Sequence, residues 1–139
     1  MLEELVHRVE ARLFAWWEPD DRPDEITSLR DEIARVEDAA TATEDRRSAV
    51  DARLRVNEEA AALLPTLVES SLRRGKTGQA LRQALELDRV RRELDADRRE
   101  RATFDGILWT LAIRLRLLRR ELKRLRAERG VTRRADSGQ

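Results

Sequence analysis

From Ile26 to Val68 one pattern runs without a break. Ile26, Leu29, Ile33, Val36, Ala40, Thr43, Arg47, Val50, Leu54, Asn57, Ala61, Leu64 and Val68 follow one another in alternating steps of three and four. Such steps keep every member on one side of an α-helix and describe a heptad seam of about six repeats. A helix spanning 24–73 on this pattern is roughly 74 Å long at 1.5 Å per residue. Intrinsic propensity does not sustain that length in water, so the seam requires a partner of comparable length.

The second half of the chain supplies one. Reading back from Leu125, the same alternation passes through Leu122, Leu118, Leu115, Leu111, Leu108, Phe104, Arg101, Asp97, Leu94, Val90 and Leu87. Both seams weaken in their middles, at Arg47 and Asn57 on one and at Asp97 and Arg101 on the other. A turn near Lys76–Thr77 places opposite one another residues whose numbers sum to about 153, so Asn57 falls near Ala96–Asp97 and Ala40 near Ile113. Small then meets large and polar meets polar, with the polar layer setting the register. Asp31–Arg35, Asp51–Arg55, Asp88–Arg92 and Asp95–Arg99 have the favourable acid-first i,i+4 order of solvated helix faces.

One stretch of this second helix is apolar on two sides. Besides the leucines of the seam, Trp109, Ile113 and Leu117 recur every four residues on the far side and call for a second partner. Leu2, Leu5, Val6, Val9, Leu13, Trp16 and Trp17 sit at helical spacing and form a candidate for it, a short amphipathic helix over 2–17. Pro19 and Pro23 end that helix, and Asp20, Asp21 or Asp24 caps the next. The expected fold is all-α: a short N-terminal helix and a long antiparallel helical hairpin, in coiled-coil packing, with a three-helix base and a two-helix arm. The helices are placed at about 2–17, 24–73 and 79–129 within a single domain over 1–130. Gly130 suits a helix end, and 131–139 reads as a disordered basic tail.

Near the turn the pattern changes. Pro65 lies inside the second helix and predicts a kink, while Leu81 and Leu85 fall off the side that carries Val90 and Leu94, as if the register slipped before Leu87. Leu63, Leu64, Leu67, Leu72, Leu81 and Leu85 then gather around Gly75–Gly78, as a local apolar knot or as a contact surface. Together with Trp109, Ile113 and Leu117 they are the candidate protein-interaction residues.

Charge is distributed unevenly although the net is only +1. Residues 1–60 hold nine basic and seventeen acidic side chains, and residues 114–134 hold ten basic and two acidic. Arg114, Arg116, Arg119, Arg120, Lys123, Arg124 and Arg126 form a candidate anion-binding set, unless the acidic Glu18–Asp45 stretch lies beside them and neutralises them. The chain has no cysteine, which excludes disulfides and thiol chemistry. It shows no basic n-region and no apolar run of spanning length, so a soluble, cytoplasmic protein is the expectation.

No catalytic constellation is legible. His7 is the only histidine and cannot make a metal site without other ligands. Arg74-Gly75-Lys76-Thr77 ends like a phosphate-binding loop, but position 70 is Ser where that loop begins with Gly, and no strand precedes it. A thin hairpin also offers little concavity for catalysis. The expectation is therefore a non-enzymatic scaffold or adaptor without cofactor or metal. It self-associates, with a dimer favoured, and binds a protein partner through apolar helix faces. The alternative is binding of nucleic acid or an anionic membrane through the Arg-rich 114–134 segment.

Overall fold

A computed structural model describes residues 25–137 of the chain, with side chains from 25 to 130. Two helices account for these residues, α1 over Glu25–Arg73 and α2 over Thr77–Ser137, and no strand occurs among them. They pack against each other as a helical hairpin. The helix expected over 2–17, with Trp16 and Trp17, lies outside the described residues, as do His7 and the candidate caps Asp20, Asp21 and Asp24.

The turn between the helices has a backbone cause. Gly75 takes a left-handed φ of 73°, the conformation that lets a helix terminate without a Cβ clash. Its N–H donates to the Leu72 carbonyl at 3.1 Å, and the Lys76 N–H donates to the Ser71 carbonyl at 2.9 Å. This is the Schellman arrangement, which satisfies carbonyls left over at the end of α1. The Lys76 carbonyl in turn accepts from the Ala80 N–H at 3.0 Å and opens α2.

Both ends of α2 differ from the sequence reading. α2 begins at Thr77 instead of 79, with Gly78 inside its first turn, and it runs on through Gly130 to Ser137. Gly75 is the only glycine with positive φ among the described residues, so Gly130 does not act as a left-handed cap. α1 runs as helix through Pro65, within the range 24–73 expected for it.

The described residues divide into two compact units, 25–44 with 106–137 and 45–105. In the first, Leu29, Ile33, Val36, Leu111 and Leu118 form the core, with Ala39, Ala40, Ile107, Leu115, Leu122 and Leu125 packed against it. Nearly all are seam positions. Thr43, 2% exposed on the same stripe, keeps its hydroxyl satisfied by donating to the Ala39 carbonyl at 2.8 Å. Arg119 reaches across to Glu37 at 3.3 Å in this unit.

In the second unit Val50, Leu54, Ala80, Val90, Leu94 and Phe104 are buried. The polar seam residues do not meet one another as expected. Each bonds with a residue of the opposite helix outside those four: Arg47 with Asp105 at 3.1 Å, Asn57 with Glu93 at 3.3 Å, Asp97 with Arg53 at 3.3 Å, and Arg101 with Asp51 at 2.8 Å. A long side chain on a narrow seam carries its charge to the wet edge and leaves only its stem inside. The expected register is visible all the same, since Arg53 also bonds Glu100 at 3.1 Å and these numbers sum to 153. Asp51 is thereby drawn to Arg101 and away from the predicted pairing with Arg55, whereas Asp88–Arg92 forms as expected.

Leu111→Ala should lower unfolding stability by ~2–5 kcal/mol through the cavity it leaves, with helicity retained, whereas Leu85→Ala should change it by less than ~0.5 kcal/mol. Urea titration followed by circular dichroism distinguishes them, and an equal cost at the two sites would contradict the seam. Gly106→Ala should stabilise by ~1 kcal/mol, since Gly106 lies within a helix and a Cβ there meets nothing within 4 Å. Gly75→Ala should instead cost ~1 kcal/mol because of its positive φ.

Candidate functional site

Two kinds of surface emerge on these helices, one apolar and one basic. Near the turn the seam continues to its end through Ser71 and Ala80, both buried, with Gln83 half-buried. The Ser71 hydroxyl donates to Gln83 Oε1 at 2.8 Å. No register slip therefore occurs before Leu87, since Ala80, Gln83 and Leu87 keep the three-four spacing. The sequence reading followed the larger leucines and passed over this small and polar trio, whose spacing was the available signal.

The leucines displaced from the seam are on the surface. Leu81 and Leu85 are each 62% exposed, Leu63 59% and Leu72 56%, with Leu67 less open and Leu64 turned half-inward on the seam. The expected apolar knot is not formed. Helical periodicity separates the residues instead: Leu63 and Leu67 share one side of α1, Leu72 lies on the opposite side from Leu63, and Leu81 and Leu85 are on α2. Val56, Ala60, Leu63 and Leu67 recur in steps of four, three and four beside the α1 seam, and Leu81 and Leu85 lie one turn apart on the outer side of α2. Val56 belongs to this surface and was not singled out from the sequence.

In the first unit the second apolar side of α2 is only partly covered. Ile113 is half-buried, while Trp109 is 69% and Leu117 50% exposed. Off the seam of α1, Glu32 is buried, and its Oε1 accepts from Arg35 Nη1 at 2.6 Å.

The basic residues divide into two groups. Arg114 is half-buried and engaged, Arg119 bonds Glu37, and Arg124 bonds Glu121 and, at 2.7 Å, Glu128. Arg116, Arg120, Lys123 and Arg126 are exposed and make no ion pair among the described residues. The acidic stretch meets this set across the helices at Glu37, which pairs with Arg119. Hydrogen bonding from Arg124 holds the Glu121 carboxyl below its ordinary value and raises the guanidinium. Arg89 does the same to Glu86 in the second unit.

Among the described residues no group of His, Cys, Asp or Glu is placed to hold a metal ion. No described helix is long and apolar enough to cross a membrane. Comparison of the chain with protein-family models, with curated proteins and with solved structures finds no match.

Because Glu86 and Glu121 titrate lower in the fold than in the open chain, their contribution to stability is full above pH 4.5 and is lost as the pH falls below it. The melting temperature should therefore hold steady from neutrality down to about this pH and then decline. Glu121→Gln should flatten part of the decline, and an unchanged slope in that variant would remove Glu121 as a contributor.

Proposed function

We propose that this chain is a non-enzymatic scaffold or adaptor that self-associates, as a dimer in the favoured case, and binds a protein partner through apolar helix faces. The observation that carries this reading is the exposure of Leu63, Leu72, Leu81 and Leu85, each more than half open to solvent, on helices whose other outward positions are mostly charged. Exposed leucines grouped on flanks of a two-helix pair are the kind of patch that a further helix covers in coiled-coil assemblies. The reading includes coiled-coil packing of the seam, a three-helix base completed by residues 2–17, and a cytoplasmic setting. In favour of such a base, Ser28, Glu32 and Ile113 are buried or half-buried although the α1–α2 seam does not contain them.

A second reading, anion binding through the Arg-rich part of α2, draws on the basic side chains that have no acidic partner among the described residues. Nucleic acid and anionic membrane are its two forms.

The first reading is tested by size-exclusion chromatography with light scattering at low and high salt. The oligomer should survive high salt, because apolar contacts are not screened. Leu81→Asp with Leu85→Asp, and separately Leu63→Asp with Leu67→Asp, should keep helicity. The pair that lies in the interface should weaken association at least ~30-fold, as loss of a ~2 kcal/mol hot spot requires. A wild-type monomer that captures no protein, or unchanged association in both variants, would refute it.

A further inference from the structure

The outer side of α2 in the first unit is unlike every other described face. From Gly106 to Gly130 the chain has only two carboxylates, Glu121 and Glu128. They lie seven residues apart on one flank of the seam, and both are engaged by Arg124. The outward positions carry Trp109, Arg116, Leu117, Arg120 and Lys123 beside the half-buried Ile113, with Arg119 and Arg126 on the flank away from the glutamates. A surface about 36 Å long at 1.5 Å per residue is thus free of acid along its outer side. By contrast, the outer side of α2 in the second unit alternates in sign through Asp88, Arg92, Asp95 and Arg99.

The order of residues along this face matters as much as the charge. Trp109 and Leu117, both half exposed or more, lie two turns apart, and Arg116, Arg120 and Lys123 follow in steps of four and three with no ion-pair partner among the described residues. We propose that this face docks on an anionic lipid bilayer, with the Trp109 ring and Leu117 entering the headgroup region and Arg116, Arg120 and Lys123 bonding lipid phosphates. The proposal rests on the anion-binding reading and selects one of its two forms.

Charge complementarity supplies the attraction, since basic side chains near an anionic leaflet are each stabilised by its surface potential and guanidinium groups bond phosphate in bidentate fashion. The apolar pair decides between polyanions. A tryptophan and a leucine gain by leaving water at a bilayer interface, where an amphipathic ring sits at headgroup depth. Phosphodiester backbones offer them no apolar contact, and a single strand is held in a groove with several aromatic platforms, whereas this face has one aromatic on a helix exterior. Attachment is peripheral in this proposal.

The test uses the full chain in flotation with phosphatidylcholine vesicles and with vesicles containing added phosphatidylserine, at low and high salt. A duplex DNA and a single-stranded RNA are measured alongside. Binding should require phosphatidylserine and weaken with salt. The triple variant Arg116→Ala, Arg120→Ala, Lys123→Ala should bind about a hundredfold more weakly, which is ~3 kcal/mol at ~1 kcal/mol for each basic side chain. A control triple with the same charge change, Arg91→Ala, Arg92→Ala, Arg99→Ala, should lose less than tenfold. Single Arg120→Ala should lose about fivefold on the same scale, and it serves if the triple loses helicity by circular dichroism. Trp109→Ala should weaken the binding that remains at high salt.

No flotation at low salt, or an equal loss in the two triples, would overturn the proposal. Tighter binding to DNA or RNA than to the vesicles would overturn it while leaving the anion-binding reading standing. Failure to bind vesicles and both nucleic acids would remove that reading as well.

Discussion

Two helices lying side by side can bury one stripe each, and the filling of that stripe governs the rest of this protein. A helix of 49 residues and one of 61 have no long-lived existence in water without such a stripe. In the first unit the stripe is filled by branched aliphatic side chains, with Ala39 and Ala40 beside the larger leucines of α2. In the second it holds Val50, Leu54, Val90, Leu94 and Phe104 and is interrupted by Arg47, Asn57, Asp97 and Arg101. The exposed ion pairs that these residues make contribute little stability each.

Those pairs have a different use. Bonds from Arg53 to Asp97 and Glu100, from Arg101 to Asp51 and from Arg47 to Asp105 link the two helices at defined levels. An apolar seam tolerates sliding by a heptad, because one leucine layer resembles the next. In the alignment adopted, each polar residue of the seam has a partner on the opposite helix. At the turn the Ser71–Gln83 bond and the left-handed Gly75 serve the same end, closing the hairpin at one place.

A two-helix pair leaves most of its surface outward. The leucines flanking the seam near the turn suit association with further helices. The acid-free outer side of α2 between Gly106 and Gly130 suits an anionic surface. The two faces belong to different units, and the forces proposed for them differ, one resistant to salt and one screened by it.

The helical hairpin and its register were legible in the sequence because seam spacing depends only on the 3.6-residue turn, and every position of the α1 seam is buried or half-buried. Of the α2 seam only Arg101 is exposed. The candidate leucines were legible as residues but not as surface: one-dimensional order places Leu81 and Leu85 near Leu72, while only the packed helices show that Ser71 and Ala80 occupy the interior between them. The length of α2 was likewise unreadable, since Gly130 signals a stop only if the backbone adopts positive φ, and there the helix simply continues. Arg124 finds Glu121 and Glu128 along its own helix, but the partner of Arg119 was decided by tertiary structure. Arg119 meets Glu37 because α1 passes beside it, and Arg116, Arg120 and Lys123 point where no described carboxylate lies. Periodicity is a property of a single helix, whereas the partner of a side chain depends on what the second helix brings within its reach.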